Sequence, residues 1–168
     1  MAVDIYLQID GIKGESADST HPGWIELTSA EWGVSQPKSA TASTAGGHTA
    51  ERCELRSISV TKLADVSSPI LIQTCAAGKT IPKVKLEFMR ADGAGDRVKY
   101  YEIELDNVLI GTVNQAVHEG GILQDAIGLK FSKVRWEVHP AEGQRRIRWQ
   151  YRRRMGPGNE PRRMRNAA

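Results

Sequence analysis

A β-barrel or two-sheet sandwich with one short α-helix at its side is the fold this chain predicts, and three observations predict it. Segments of six to twelve residues with alternating apolar and polar side chains recur along most of the length. Polar loops containing glycine separate them. Only the stretch from about Ser68 to Ala77 carries both a start and a stop signal for a helix. About ten residues of helix cannot form a core of their own, so this element must plug or flank a β-body. At 168 residues the chain is large enough for one domain with a real core.

The first strand runs from Val3 to Ile9, with Val3, Ile5, Leu7 and Ile9 on one face and Asp4, Tyr6 and Gln8 on the other. Gly11, Gly14, Ser16, Asp18 and Ser19 mark the loop after it. A second strand is predicted over Trp24 to Ser35 and a third over Arg52 to Lys62, where apolar parity shifts between Leu55 and Ile58. In the helix, Ser68 precedes Pro69, a residue favoured in the first turn, and Gly78 supplies a left-handed stop. Ile81 to Arg90 and Arg97 to Asp106 form a hairpin around Asp92-Gly-Ala-Gly95. Val108 to Val117, Asp125 to His139 and Arg146 to Arg152 complete about eight strands. The shift from Ile127, Leu129 and Phe131 to Val134, Trp136 and Val138 is the pattern a bulge produces.

Between Gln36 and Ala50 the chain is almost wholly Ser, Ala, Thr and Gly, a composition that builds no core and predicts a long flexible loop. The domain reading is therefore a β-body over residues 1–151 carrying that loop, followed by an arginine-rich tail over 152–168 whose polar composition predicts disorder. Charge divides the same way. Residues 1–144 carry 14 Lys and Arg against 19 Asp and Glu, a net −5. Residues 145–168 carry nine arginines against Glu160, a net +8. The start, Met1-Ala-Val-Asp4, has neither the basic nor the apolar part of a secretory signal, and no apolar run is long enough for a membrane helix, so folding in the cytosol is expected. Cys53 and Cys75 are too few and too far apart for a disulfide framework and read as buried free thiols.

No catalytic pattern emerges. His21, His48, His118 and His139 lack metal-ligand spacing, and His21 and His48 read as solvated loop residues. No nucleophile elbow or phosphate loop is present, so neither an enzyme nor a cofactor is predicted. The arginine tail could neutralise phosphates, and a nucleic-acid-binding β-barrel is the alternative reading, although nucleic acid is not the expected partner.

Several segments taken together resemble one family. They are Met1-Ala-Val-Asp-Ile-Tyr-Leu-Gln-Ile-Asp-Gly-Ile-Lys-Gly-Glu-Ser16, Trp32-Gly-Val-Ser35, and Ser57-Ile-Ser-Val-Thr-Lys62 leading through Asp65 to Ser68-Pro69 and Gly78-Lys79. In order and spacing they are similar to the haemolysin-coregulated proteins (Hcp), tube subunits of the bacterial type VI secretion system. The resemblance spans residues 1–140. It implies a hexameric ring, stacked into a tube that is exported without a signal peptide and serves as carrier and chaperone for small effector proteins in its channel. It also implies three kinds of partner besides the chain itself: a valine–glycine repeat (VgrG) spike, contractile sheath proteins and the effectors. For channel and effector contact it points to Ser29 and Glu31. For contact between subunits or stacked rings it points to the loop residues Gln36, Lys38, Ser43, Gly46, Gly47 and His48. The tail departs from the family pattern, in which the last strand is followed by a short tail of mixed charge.

Overall fold

The computed structural model describes residues 3–37, 53–92, 95–117, 121–140 and 146–152. Strand β1 (Val3–Ile9) follows its alternation, with Leu7 and Ile9 buried. The segment expected as one second strand is broken into β2 (Ile25–Leu27), β3 (Ser29–Glu31) and β4 (Val34–Ser35). The chain continues through β5 (Glu54–Leu55), β6 (Ile58–Leu63), helix α1 (Ser68–Ala76) and β7 (Thr80–Ala91). It ends with β8 (Arg97–Ala116), β9 (Gln124–Lys130), β10 (Lys133–Val138) and β11 (Ile147–Arg152).

The breaks have a topological reason. Hydrogen-bonded neighbours run β2-β1-β7-β8-β9-β6-β3, and all pairings are antiparallel. Because β2 and β3 are two halves of one bent segment, the sheet returns to its own start and encloses the core. Thr28 makes the bend, its amide donating to the Thr61 carbonyl at 2.8 Å. Strands 97–106 and 108–117, expected separately, are one 20-residue strand that turns at Asn107, which takes a φ of 52°. The segment expected as a single strand over 125–139 is interrupted beside that turn. There the Ser132 amide and hydroxyl donate to the Asp106 carbonyl at 3.2 and 3.1 Å. The parity change after Phe131 is thus a break between β9 and β10 rather than a bulge. Beyond the turn β8 pairs with β9, and before it β8 pairs with β10, which carries β11 at its other edge.

Helix α1 packs Leu71 and Thr74 inward and leaves Ile70 and Ile72 exposed. The residue before its first turn is Ser67, and no side-chain hydroxyl caps it. Instead, Asp65 accepts the Ser67 amide at 2.8 Å on a carboxylate oxygen. Ser68, expected as the cap, turns its hydroxyl into the barrel. Gly78 takes the predicted left-handed conformation at φ 61°. The core comprises Leu7, Ile25, Ile58, Leu86, Ile103, Leu105, Ile127 and Leu129 with their neighbours. Both cysteines are free, and they are half-buried rather than buried.

Candidate functional site: a polar wall and its supports

Along β6, Ile58 and Val60 point into the barrel, so Ser59 and Thr61 point out. Ala30 of β3 and Ile127 and Leu129 of β9 also face inward, which turns Ser29, Glu31, Ala126, Gly128 and Lys130 outward. In β8 the register slips between Ile110 and Thr112, which passes the inward position to Val113 and sends Thr112 and Asn114 out. Across the strands, Glu31, Ser59, Gly128 and Thr112 stand side by side, as do Ser29, Thr61, Ala126 and Asn114. Of these eight residues only Glu31 is charged, and none is large and apolar. Gly128 lets Thr112 approach closely, because a Cβ there would lie 2.5 Å from the Thr112 hydroxyl and push it aside.

This wall has two open borders among the described residues. Strand β3 bonds only to β6. On the other side, β7 reaches β8 no further than Leu109, so residues 112–116 bond to β9 alone. Such borders are templates for strand addition.

Ser29 and Glu31 are both exposed and sit together on the wall. Gln36 is exposed just past the β4–β5 ribbon, in which Val34 faces Leu55 and Ser35 faces Glu54. Lys38, Ser43, Gly46, Gly47 and His48 lie outside the described residues.

Two buried polar clusters were not expected. The first is at one end of the barrel. Lys62 continues the inward parity of Ile58 and Val60, and its register partner is Asp125. Both are fully buried, with 3.0 Å between ammonium and carboxylate. Lys62 also donates to Asp65 at 2.7 Å and to the Ser68 hydroxyl at 2.8 Å. Ser68 donates to Asp125, which also accepts from Gln115 at 2.8 Å. Burial pushes the Asp125 carboxyl up, but hydrogen bonds from Ser68, Gln115 and Lys62 outweigh it and hold the group below its ordinary value. The cluster ties the helix start to β6, β9 and β8.

The second cluster overturns the reading of His21 as a solvated loop residue. The ring is 2% exposed and stacks on Tyr6 at 4.2 Å. Its Nδ1 lies 2.8 Å from Asp18 and its Nε2 lies 3.0 Å from Glu87. Hydrogen bonds from Thr20 and then His21 lower Asp18 to about 2. Burial raises Glu87, but bonds from His21 and Lys99 and the charges of Lys99 and Lys85 bring it below its ordinary value. Glu87 opens a charged row that crosses to Glu102, Glu137 and Arg148, on the side of the barrel remote from the wall. Lys85 and Lys99 neutralise the adjacent carboxylates Glu87 and Glu102. Asp18 lies three residues before the histidine, but no sequence pattern marks Glu87, which is 66 residues away.

The sequence profile described as "Type VI secretion system effector, Hcp" matches residues 6–138. The chain belongs to the Hcp family. It is 35% identical over 141 residues to "Protein hcp1" of Pseudomonas aeruginosa, covering 83% of this chain and 85% of that one. Hcp1 from Salmonella typhimurium superposes with a TM-score of 0.72 at 27% identity, covering 90% of this chain and 95% of that chain. A further structure, described as a type six secretion system protein, reaches a TM-score of 0.81 at 23% identity over 90% of this chain and 96% of its own, a likeness of fold. Membership of Hcp decides between the two readings of the sequence in favour of the type VI tube subunit over the nucleic-acid module. No helix among the described residues is long and apolar enough to cross a membrane.

Proposed function

We propose that six copies close head to tail by joining the open β3 border of one subunit to the open 112–116 border of the next, so that the wall lines a continuous channel. A heterologous contact of this kind uses two different patches and closes into a ring when the rotation permits. The observation that carries the reading is the wall itself, a sheet face of small polar side chains bounded on both sides by unpaired strand edges. Such a face lets a folded cargo move without adhering, because it offers little apolar area to bury. Rings then stack into the tube, which assembles in the cytosol and is driven out of the cell by a contractile sheath, capped by a valine–glycine repeat (VgrG) spike. Loop residues Gln36, Lys38, Ser43, Gly46, Gly47 and His48 reach the neighbouring subunit or ring. Ser29 and Glu31 contact effectors.

Electron micrographs of the purified protein test the assembly, with annular particles as the expected result. Paired cysteines test the closure: one of Ser29→Cys or Glu31→Cys combined with one of Thr112→Cys or Asn114→Cys gives a ladder of cross-linked oligomers under oxidation. Rings in the micrographs with no ladder from any combination would place the subunit contact elsewhere. At Glu31, charge reversal to arginine leaves the ring intact and changes the amount of effector that co-purifies. Unchanged cargo recovery removes Glu31 from the contact.

A further inference from the structure

A groove of about 500 Å³ lies between the end of β1, the loop after it and β7. Its apolar lining comes from Ile9, Ile12, Pro22 and Trp24, and its rim carries Lys13, Lys83 and Lys85. In the closed strand order β1 and β7 stand across the barrel from β6 and β9, so the groove opens on the side away from the wall. Lys85 is neutralised by Glu87, Glu102 and Glu104 at 3.5 to 3.8 Å. Lys13 and Lys83 are exposed and meet no carboxylate among the described residues, and Asp10 is the single acid in the lining.

The groove is held in shape from beneath. Gly14 donates to the Gly23 carbonyl at 2.9 Å, and a Cβ at Gly14 would lie 2.4 Å from the Trp24 carbonyl oxygen. Trp24 stands edge-on to His21 at 4.8 Å, and His21 is fixed by Asp18 and Glu87. This is a preformed depression with an apolar floor and a local excess of positive charge, on a body whose residues 1–144 are net negative.

We infer that this groove docks an acidic segment of another protein on the outside of the ring, an apolar side chain of that segment lying against Trp24 and its carboxylates on Lys13 and Lys83. Charge complementarity favours the segment, since Lys13 and Lys83 carry positive charge with no carboxylate on it among the described residues, on a body that is net negative over residues 1–144. Pro22 and Trp24, the apolar lining residues still open to solvent, favour a peptide over a small anion, which would leave them uncovered. The groove lies on the face opposite the proposed channel, so this docking stands apart from cargo contact and from ring closure.

The test uses the full chain and an end-capped Leu-Glu-Glu-Leu-Glu-Glu peptide as probe, with a carbodiimide as coupling agent. The reagent activates a glutamate carboxyl, the lysine amine displaces it with formation of an amide, and the carboxyl oxygen leaves on the urea. Arginines do not couple, so the tail contributes no product. Mapping is expected to find Lys13 and Lys83 modified about fivefold more than the exposed Lys79 and Lys130. Lys83→Gln, a change at an exposed site, is expected to lower coupling at Lys13 with the unfolding midpoint unchanged. Equal modification of all four lysines overturns the inference. So does unaltered coupling at Lys13 in Lys83→Gln. Equimolar inorganic phosphate is expected to leave the coupling in place, and its removal by phosphate would assign the groove to a small anion and overturn the peptide reading.

Discussion

Lys62 shows how a single side chain can contradict composition and obey geometry. Lysine is among the residues least often buried, yet its place after Ile58 and Val60 in the same alternation points it inward, and the register sets Asp125 opposite. A buried pair stripped of one member leaves an uncompensated charge, so Lys62→Met is expected to cost about 3–5 kcal/mol in chemical denaturation. Lys62→Met combined with Asp125→Leu is expected to recover part of that loss, because the remaining carboxylate goes with its partner. A double variant no more stable than Lys62→Met would mean that the helix start depends on the polar cluster itself. His21 supports a second measurement. Glu87, Glu102 and Asp125 have folded values below their ordinary 4.5, 4.5 and 3.8, and Asp18 falls to about 2. Groups lowered on folding stabilise the native state above their unfolded values and lose that contribution as pH falls through the folded ones. The unfolding temperature is therefore expected to hold near pH 6 and to drop progressively from about pH 4.5 toward 2. His21→Asn, which withdraws a donor from Asp18 and Glu87, is expected to flatten that drop. The parity of Lys62 was legible in the chain, and Asp18 stands only three residues before His21, whereas Glu87 comes from a strand far along the chain and leaves no local trace.

At the scale of elements, alternation located nearly every strand and the Pro69–Gly78 signals located the helix to within a residue. What alternation does not encode is which neighbour a strand has. The second strand divides because Thr28 changes partners from β1 to β6, and β8 stays whole because Asn107 bends it without ending its ladder. Both are decisions of closure, imposed by the need to return the sheet to its own edge. Ser68 was legible as a helix-start residue, but its hydroxyl is drawn to Asp125, whose position only the closed barrel supplies. The wall has a similar dependence on close approach between β8 and β9. Gly128→Ala sets a methyl group 2.5 Å from the Thr112 hydroxyl, and turning that hydroxyl aside is expected to cost about 1 kcal/mol. Adding Thr112→Ala is expected to restore most of the stability, measured as a double-mutant cycle. Additive losses would show that the glycine serves the backbone and not the side-chain contact.

For the whole molecule, the division of charge is the quantity that assembly multiplies. A subunit whose first 144 residues are net −5 and whose last 24 are net +8 attracts its own kind through unlike regions and repels it through like ones. Residues 153–168 bring five arginines and one glutamate from each copy, and a ring gathers six such segments around one axis. Exposed like charges are largely screened beyond the Debye length, about 10 Å at 0.1 M salt and about 30 Å at 0.01 M, so segments spaced between those distances repel only in dilute salt. Stacking of rings is therefore expected to rise with salt for the full chain, followed by sedimentation velocity between low and moderate ionic strength. A chain ending at Arg152 keeps β11 and sheds the excess positive charge, so its stacked fraction is expected to be high at low salt and nearly constant thereafter. If shortening leaves the salt response as steep as before, the repulsion resides in the β-bodies, where Glu31 and its copies face one another across the proposed channel.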